Sequence, residues 1–203
     1  MIHDFDPVLI DFGILQIRWY SLAYIFGILV GWMYGKTIIR KQILNKDQDN
    51  YLKNFDDLIG YIIIGVVVGG RLGYVIFYDP VFYLKNISEI FKLWNGGMSF
   101  HGGFIGVIIA TYIFSNFKKL NYKIYFDTIC CVAPIGLFLG RIANFINGEL
   151  YGIPTEKPWG IIFPKIDNVM RHPSQIYEAL LEGFVLFIVL NFLTTKKILG
   201  NGL

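Results

Sequence analysis

Residues 140–152 read GRIANFINGELYG, and the reading of this stretch decides what kind of molecule the chain makes. It closes an apolar run and carries Arg141, Asn144, Asn147 and Glu149 close together. At helical spacing Arg141, Asn144 and Asn147 or Gly148 follow one another in steps of three, so their polar groups share a face. A guanidinium with carboxamides and a carboxylate can hold a phosphate or another polar head group through charge-assisted, bidentate hydrogen bonds. A central arginine costs about 2.5–3.5 kcal/mol on membrane-insertion scales, so such a cluster points to a task beyond packing. The plainer alternative is a helix end whose Arg141 reaches lipid phosphates while the asparagines cap.

The composition around it is that of a membrane protein. Of 203 residues, 55% are hydrophobic and 16% charged, against about 25% charged in an average soluble domain. Mean hydropathy is +0.52. A net charge of +3, scattered along the chain, excludes a nucleic-acid surface. Cys130 and Cys131 are adjacent inside an apolar run and have no metal or disulfide spacing. No cofactor and no metal is implied. The first residues carry Asp4, Asp6 and Asp11 without a basic stretch, so no cleavable signal is expected.

A bilayer-spanning helix needs about 20 mostly apolar residues. Five segments qualify, roughly 17–39, 58–78, 100–117, 125–146 and 176–194, in one membrane domain, 1–203. The expected fold is an all-α polytopic helix bundle. Basic residues follow the first span (Lys36, Arg40, Lys41, Lys46), the third (Lys118, Lys119, Lys123) and the fifth (Lys196, Lys197). The positive-inside rule then puts the N-terminus outside and the 140–152 cluster at the outer end of span four. Gly65, Gly69 and Gly73 lie at four-residue steps in span two, the pattern that lets helix backbones approach. Arg71 sits among them, where snorkelling and a substrate contact are both open readings. Residues 81–93 are too short and charged to span, and their periodicity predicts an interfacial helix within an arm of 81–97. Residues 148–174, with four prolines, predict a small ordered outer cap.

Other residues can carry chemistry. His101, followed by Gly102 and Gly103, is a histidine near a membrane boundary that can take a proton, or one bonded between helices. Tyr20 and Tyr24 lie one turn apart, the default reading being interface anchors. Ser174 is placed to cap the last span after Pro173. Glu178 and Glu182 share a face and need partners, with Arg71 or Arg141 as candidates.

Together GRIANFINGELYG, HGGFIGV, GGRLGYVIFY, the early WY and RHPSQIYE resemble, in order, the signatures of the bacterial prolipoprotein diacylglyceryl transferases. The resemblance covers essentially the whole chain. It implies an enzyme of the bacterial inner membrane with its site towards the outer leaflet. The implied reaction moves a diacylglyceryl group from phosphatidylglycerol to the lipobox cysteine of a preprolipoprotein signal peptide, forming a thioether and releasing glycerol phosphate. By resemblance His101, Arg141 and Tyr20 are the catalytic candidates. Asn144, Asn147, Glu149, Gly152 and Arg71 are the substrate-binding ones. Arg141 would grip the phosphate, Asn144 and Glu149 would orient Arg141 and the head group, and His101 would assist thiol deprotonation. Family members usually have seven spans, the segment after the fifth supplying a further Arg and Glu. This chain stops at Leu203, so weak or no activity is expected of 1–203 alone. The competing classes are a transporter, which would usually show an internal repeat, and a non-catalytic lipid-binding subunit.

Overall fold

Five helices in the computed structural model are long and apolar enough to cross a membrane: α1 (Trp19–Gln42), α2 (Gln48–Phe77), α4 (Phe100–Phe117), α5 (Tyr122–Asn147) and a last span, Ser174–Thr195. Residues 1–13, 16–44 and 46–195 are described; the basic pair Lys196–Lys197 lies outside them. The remaining elements are small: the hairpin strands β1 (Val8–Asp11) and β2 (Gln16–Arg18), the short helix α3 (Pro80–Lys85), and the pair β3 (Ile161–Ile162) and β4 (Met170–Arg171). The last span is composite, with α6 (Ser174–Glu178), a π-helical segment (Ala179–Val185) and α7 (Leu186–Thr195). Large apolar side chains such as Phe104, Ile109, Leu181 and Phe184 stand exposed on these helices, as surfaces facing hydrocarbon do.

The second span starts ten residues before the apolar run predicts, at Gln48. Charged residues mark where a chain leaves the hydrocarbon, but a helix satisfies its own backbone in water too and runs on.

Two compact units divide the chain, one of residues 38–127, the other of 1–37 with the described residues from 128 onward. In the first, α2 lies backbone to backbone on α4. A Cβ on Gly65 would stand 2.6 Å from the Gly106 carbonyl oxygen, and one on Gly73 would stand 2.7 Å from Gly102 Cα. Only glycine fits there. Nearby Phe55, Leu58, Phe114 and Tyr125 are fully buried.

The predicted interfacial helix is broken. Asp79 and Pro80 start α3, the Asp79 side chain accepting from Phe82 N. At Asn86 the helix stops and 3-10 turns follow. Arg71 is the physical reason. Its guanidinium donates to the carbonyls of Ile90 (2.8 Å), Gly96 (2.5 Å), Gly97 (3.0 Å), Glu89 (2.5 Å) and Lys92 (3.3 Å). Carbonyls turned to one cation cannot also run up a helix.

In the other unit a polar ladder joins the helices. Tyr34 donates to Asn191 Oδ1 at 2.9 Å, and Asn191 Nδ2 donates to the Phe187 carbonyl at 2.8 Å. Gly183, in the π segment, sits on Phe138, where a Cβ would come within 2.6 Å. The N-terminus closes this unit. His3 N donates to the Ile162 carbonyl at 2.8 Å and Ile162 N to the Met1 carbonyl at 3.0 Å, adding an edge to β3–β4. The His3 ring is buried among Phe5, Phe145 and Phe163, and its Nε2–H donates to the Phe145 carbonyl at 2.6 Å.

Candidate functional site

The stretch 140–152 forms the end of α5 and the reversal after it. Gly148 N donates to the Phe145 carbonyl and Glu149 N to the Asn144 carbonyl, both at 3.0 Å. This is the paired bonding of a Schellman ending, and Gly148 takes the left-handed position at φ 70°. Leu150, at φ 54°, takes a second one without glycine's freedom.

Past this turn the chain pairs with the residues before α6. Gly152 N donates to the His172 carbonyl at 2.9 Å, and His172 N to the Ile153 carbonyl at 3.0 Å. A Cβ on Gly152 would lie 2.7 Å from the His172 oxygen, so this position admits no side chain. Arg171 crosses back, donating to the Gly152 carbonyl at 3.3 Å and through Nη2 to Asp167 at 2.5 Å. The Arg171 bond holds the Asp167 carboxyl below its ordinary range.

These segments and α6 border an open cleft of about 580 Å³, lined among others by Arg141, Leu150, Gly152, Arg171, Ser174 and Glu178. Arg141 Nε donates to Glu178 at 2.9 Å and Nη2 to Glu182 at 3.1 Å. Two carboxylates one turn apart thus hold one edge of the guanidinium. Nη1 bonds to no group among the described residues. Of the two arginines considered as partners for Glu178 and Glu182, Arg141 takes both.

The sequence-predicted residues separate as follows. Arg141 and Gly152 line the cleft. Asn147 and Glu149 bond to each other, Nδ2 to Oε1 at 2.6 Å, and Asn144 is buried. The expectation that Asn144 and Glu149 orient Arg141 is therefore corrected, because Glu178 and Glu182 do so. Ser174 is corrected as well. Pro173 takes the N-cap position of α6 and the Ser174 hydroxyl donates to the Leu150 carbonyl at 2.7 Å. Tyr20 accepts from the Tyr24 hydroxyl at 3.4 Å, their rings 5.1 Å apart.

Arg71 and His101 belong to the other unit. Arg71 is buried with its donors on the arm carbonyls. His101 is exposed in the first turn of α4, which Ser99 caps by accepting from Gly102 N at 3.2 Å. Its ring packs edge-on to Phe100, and it makes no hydrogen bond among the described residues. Residues that no sequence reasoning singled out are His3 and Gln175. Gln175 is fully buried, its Nε2 donating to the Glu149 carbonyl at 2.6 Å. A polar residue next to a helix start gave a signal for Gln175; nothing local marks His3.

Comparison with known proteins adds the family. Residues 7–202 match the model described as prolipoprotein diacylglyceryl transferase. A protein of Rickettsia canadensis named phosphatidylglycerol–prolipoprotein diacylglyceryl transferase is 53% identical over 194 residues, 94% of this chain and 72% of its own length. One of Rickettsia felis, with the same name, is 52% identical with the same coverage. One of Rhodopseudomonas palustris is 50% identical over 189 residues, 92% of this chain and 66% of its own length.

Proposed function

Because the chain belongs to the prolipoprotein diacylglyceryl transferase family, we infer that it transfers the diacylglyceryl group of phosphatidylglycerol to prolipoproteins. The acceptor is the lipobox cysteine thiol of the signal peptide. The thiol loses its proton, the sulfur lone pair forms a bond to the glyceryl carbon, and the carbon–oxygen bond to phosphate breaks. That electron pair leaves on glycerol phosphate, and the product is a thioether. The enzyme is a multi-pass membrane protein. The distribution of basic loops supports an inner-membrane site opening to the outer leaflet.

Two demands of the reaction match these residues. The departing phosphate needs its charge held where water is scarce, which suits a fixed guanidinium. Arg141, steadied by Glu178 and Glu182 with Nη1 left over at the cleft, is the observation that carries this reading. Glu149 and Asn147, bonded to each other in the turn that follows α5, are suited to the glycerol hydroxyls. Gly152 lines the cleft, and Asn144 is assigned to the head group through the family resemblance. The thiol needs a base, and His101, exposed and without a hydrogen bond among the described residues, is assigned that role through the family resemblance. Tyr20 is assigned to the reacting groups through the family resemblance. Arg71, its donors taken by the arm carbonyls, orders the arm and is given no contact with the lipid.

Transfer is measured from labelled phosphatidylglycerol in vesicles to a lipobox peptide, against phosphatidylcholine vesicles and a peptide with serine for cysteine. Label, weak for residues 1–203 alone, should appear only with phosphatidylglycerol and cysteine, and transfer without phosphatidylglycerol would overturn the reading. His101→Gln should lower the rate of transfer about 100-fold across the pH profile, on the order of what a positioned general base contributes. A wild-type profile would dismiss His101 as the base.

A further inference from the structure

The turn that carries Glu149 is held in place by the start of α6. Leu150 sits in left-handed backbone at φ 54°, a conformation that a residue with a branched side chain holds only when its surroundings enforce it. Two side chains at the start of α6 supply that enforcement. Ser174 Oγ donates to the Leu150 carbonyl at 2.7 Å and Gln175 Nε2 to the Glu149 carbonyl at 2.6 Å. Gln175 is fully buried, and its own Oε1 has no partner among the described residues. A buried amide that leaves one atom unsatisfied while bonding a strained turn breaks the ordinary rule of polar satisfaction. One turn further along, α6 presents Glu178, which holds Arg141 Nε at 2.9 Å. The same short helix therefore grips both the Glu149 turn and the guanidinium.

We propose that Ser174 and Gln175 are positioning residues of the transfer site: by clamping the Glu149–Leu150 carbonyls to α6 they set the spacing between the Glu149 carboxylate and Arg141, and so the fit of the phosphatidylglycerol head group. The proposal rests on the functional reading above and deepens it. The clamp touches no reacting atom. Its effect falls on recognition of the lipid.

The test uses the full chain in phosphatidylglycerol vesicles with a lipobox peptide, together with retention of labelled phosphatidylglycerol by the purified protein in detergent. Ser174→Ala should raise KM for phosphatidylglycerol about fivefold, the worth of one hydrogen bond to a carbonyl, with kcat nearly kept. A residue that merely started a helix would lower the folded fraction and hence kcat, leaving KM alone. Adding Leu150→Gly to Ser174→Ala should recover most of the KM, since glycine holds the left-handed position without help. Gln175→Leu should act in the same direction and also weaken lipid retention. An unchanged KM in both Ser174→Ala and Gln175→Leu, or a raised KM that Leu150→Gly does not recover, overturns the clamp. Wild-type protein that neither retains phosphatidylglycerol nor transfers from it overturns the functional reading instead. Retention without transfer leaves the clamp to be judged by the binding ratios, where equal retention by Ser174→Ala and wild type overturns it.

Discussion

Arg71 and Arg141 both sit inside membrane-spanning helices of this chain, and they are used in opposite ways. Arg71 is 4% exposed, and its donors end on five backbone carbonyls of the arm. The arm folds around that cation. Arg141 has a side chain 27% exposed, faces an open cleft, and is held by two carboxylates while Nη1 bonds no group among the described residues. A guanidinium saturated by its own backbone organises structure. One oriented by side chains and left with a free edge is prepared for an anion.

The sharpest way to break this contrast is to keep each charge and remove its fork. Arg141→Lys should cut transfer by 100-fold or more, on the order of the 2.7–4 kcal/mol lost with one preorganised donor at a developing oxyanion. Melting temperature should barely move. An active lysine variant would show that charge alone suffices and that the fork is irrelevant.

The reverse pattern is expected at the other arginine. Arg71→Met leaves five carbonyls without their donor and should cost about 3 kcal/mol of stability, within the range for breaking a buried network. The arm at 86–97 should become cleavable in limited proteolysis, while the folded fraction keeps its affinity for phosphatidylglycerol. Loss of lipid affinity without loss of stability would make Arg71 a substrate residue and erase the distinction.

A smaller effect tests how Arg141 is held. Glu178→Gln keeps the shape and removes one charge from the guanidinium edge. Because Glu178 is about a third exposed, solvent screening reduces the pair to about 1 kcal/mol, so transfer should fall about fivefold. Unchanged transfer would mean that Glu182 holds the group without help.

The mildest prediction concerns the cap. The Asp167 carboxyl is lowered by its bond from Arg171, so the folded state binds its proton less readily than the unfolded chain. That contribution is complete above the ordinary aspartate value near 4 and disappears as pH falls through the lower folded value. Acid unfolding of wild type should therefore converge on that of Asp167→Asn as the pH falls well below the ordinary aspartate value, with wild type the more stable at about pH 5. Parallel curves throughout would show that the ion pair contributes nothing.

Much of this could be read along the chain. A run of apolar residues reports its own need for hydrocarbon, so the five spans appeared, and all ends but the start of the second lay close to those observed. The small-residue stripe of Gly65, Gly69 and Gly73 announced a close helix contact, although not that Gly102 and Gly106 would be the partners. The end of α5 was legible as a polar cluster because Arg141, Asn144, Asn147 and Glu149 are neighbours in sequence. Its internal wiring was not. Arg141 reaches carboxylates some forty residues away, and Gln175 reaches the Glu149 carbonyl across 26 residues. His3 was invisible because Phe145 and Phe163, which close its cage with the neighbouring Phe5, come from distant segments.

The linear order of residues was enough to establish a helical membrane protein of this transferase family, because apolar periodicity and contiguous motifs are local properties that survive without a fold. Which polar groups meet was settled by packing. Charge pairing and carbonyl capture act over a few ångströms, and those distances exist only once α5, α6 and the cap have closed on one another. The same guanidinium thus became scaffold at Arg71 and anion site at Arg141, according to what the surrounding backbone left unbonded.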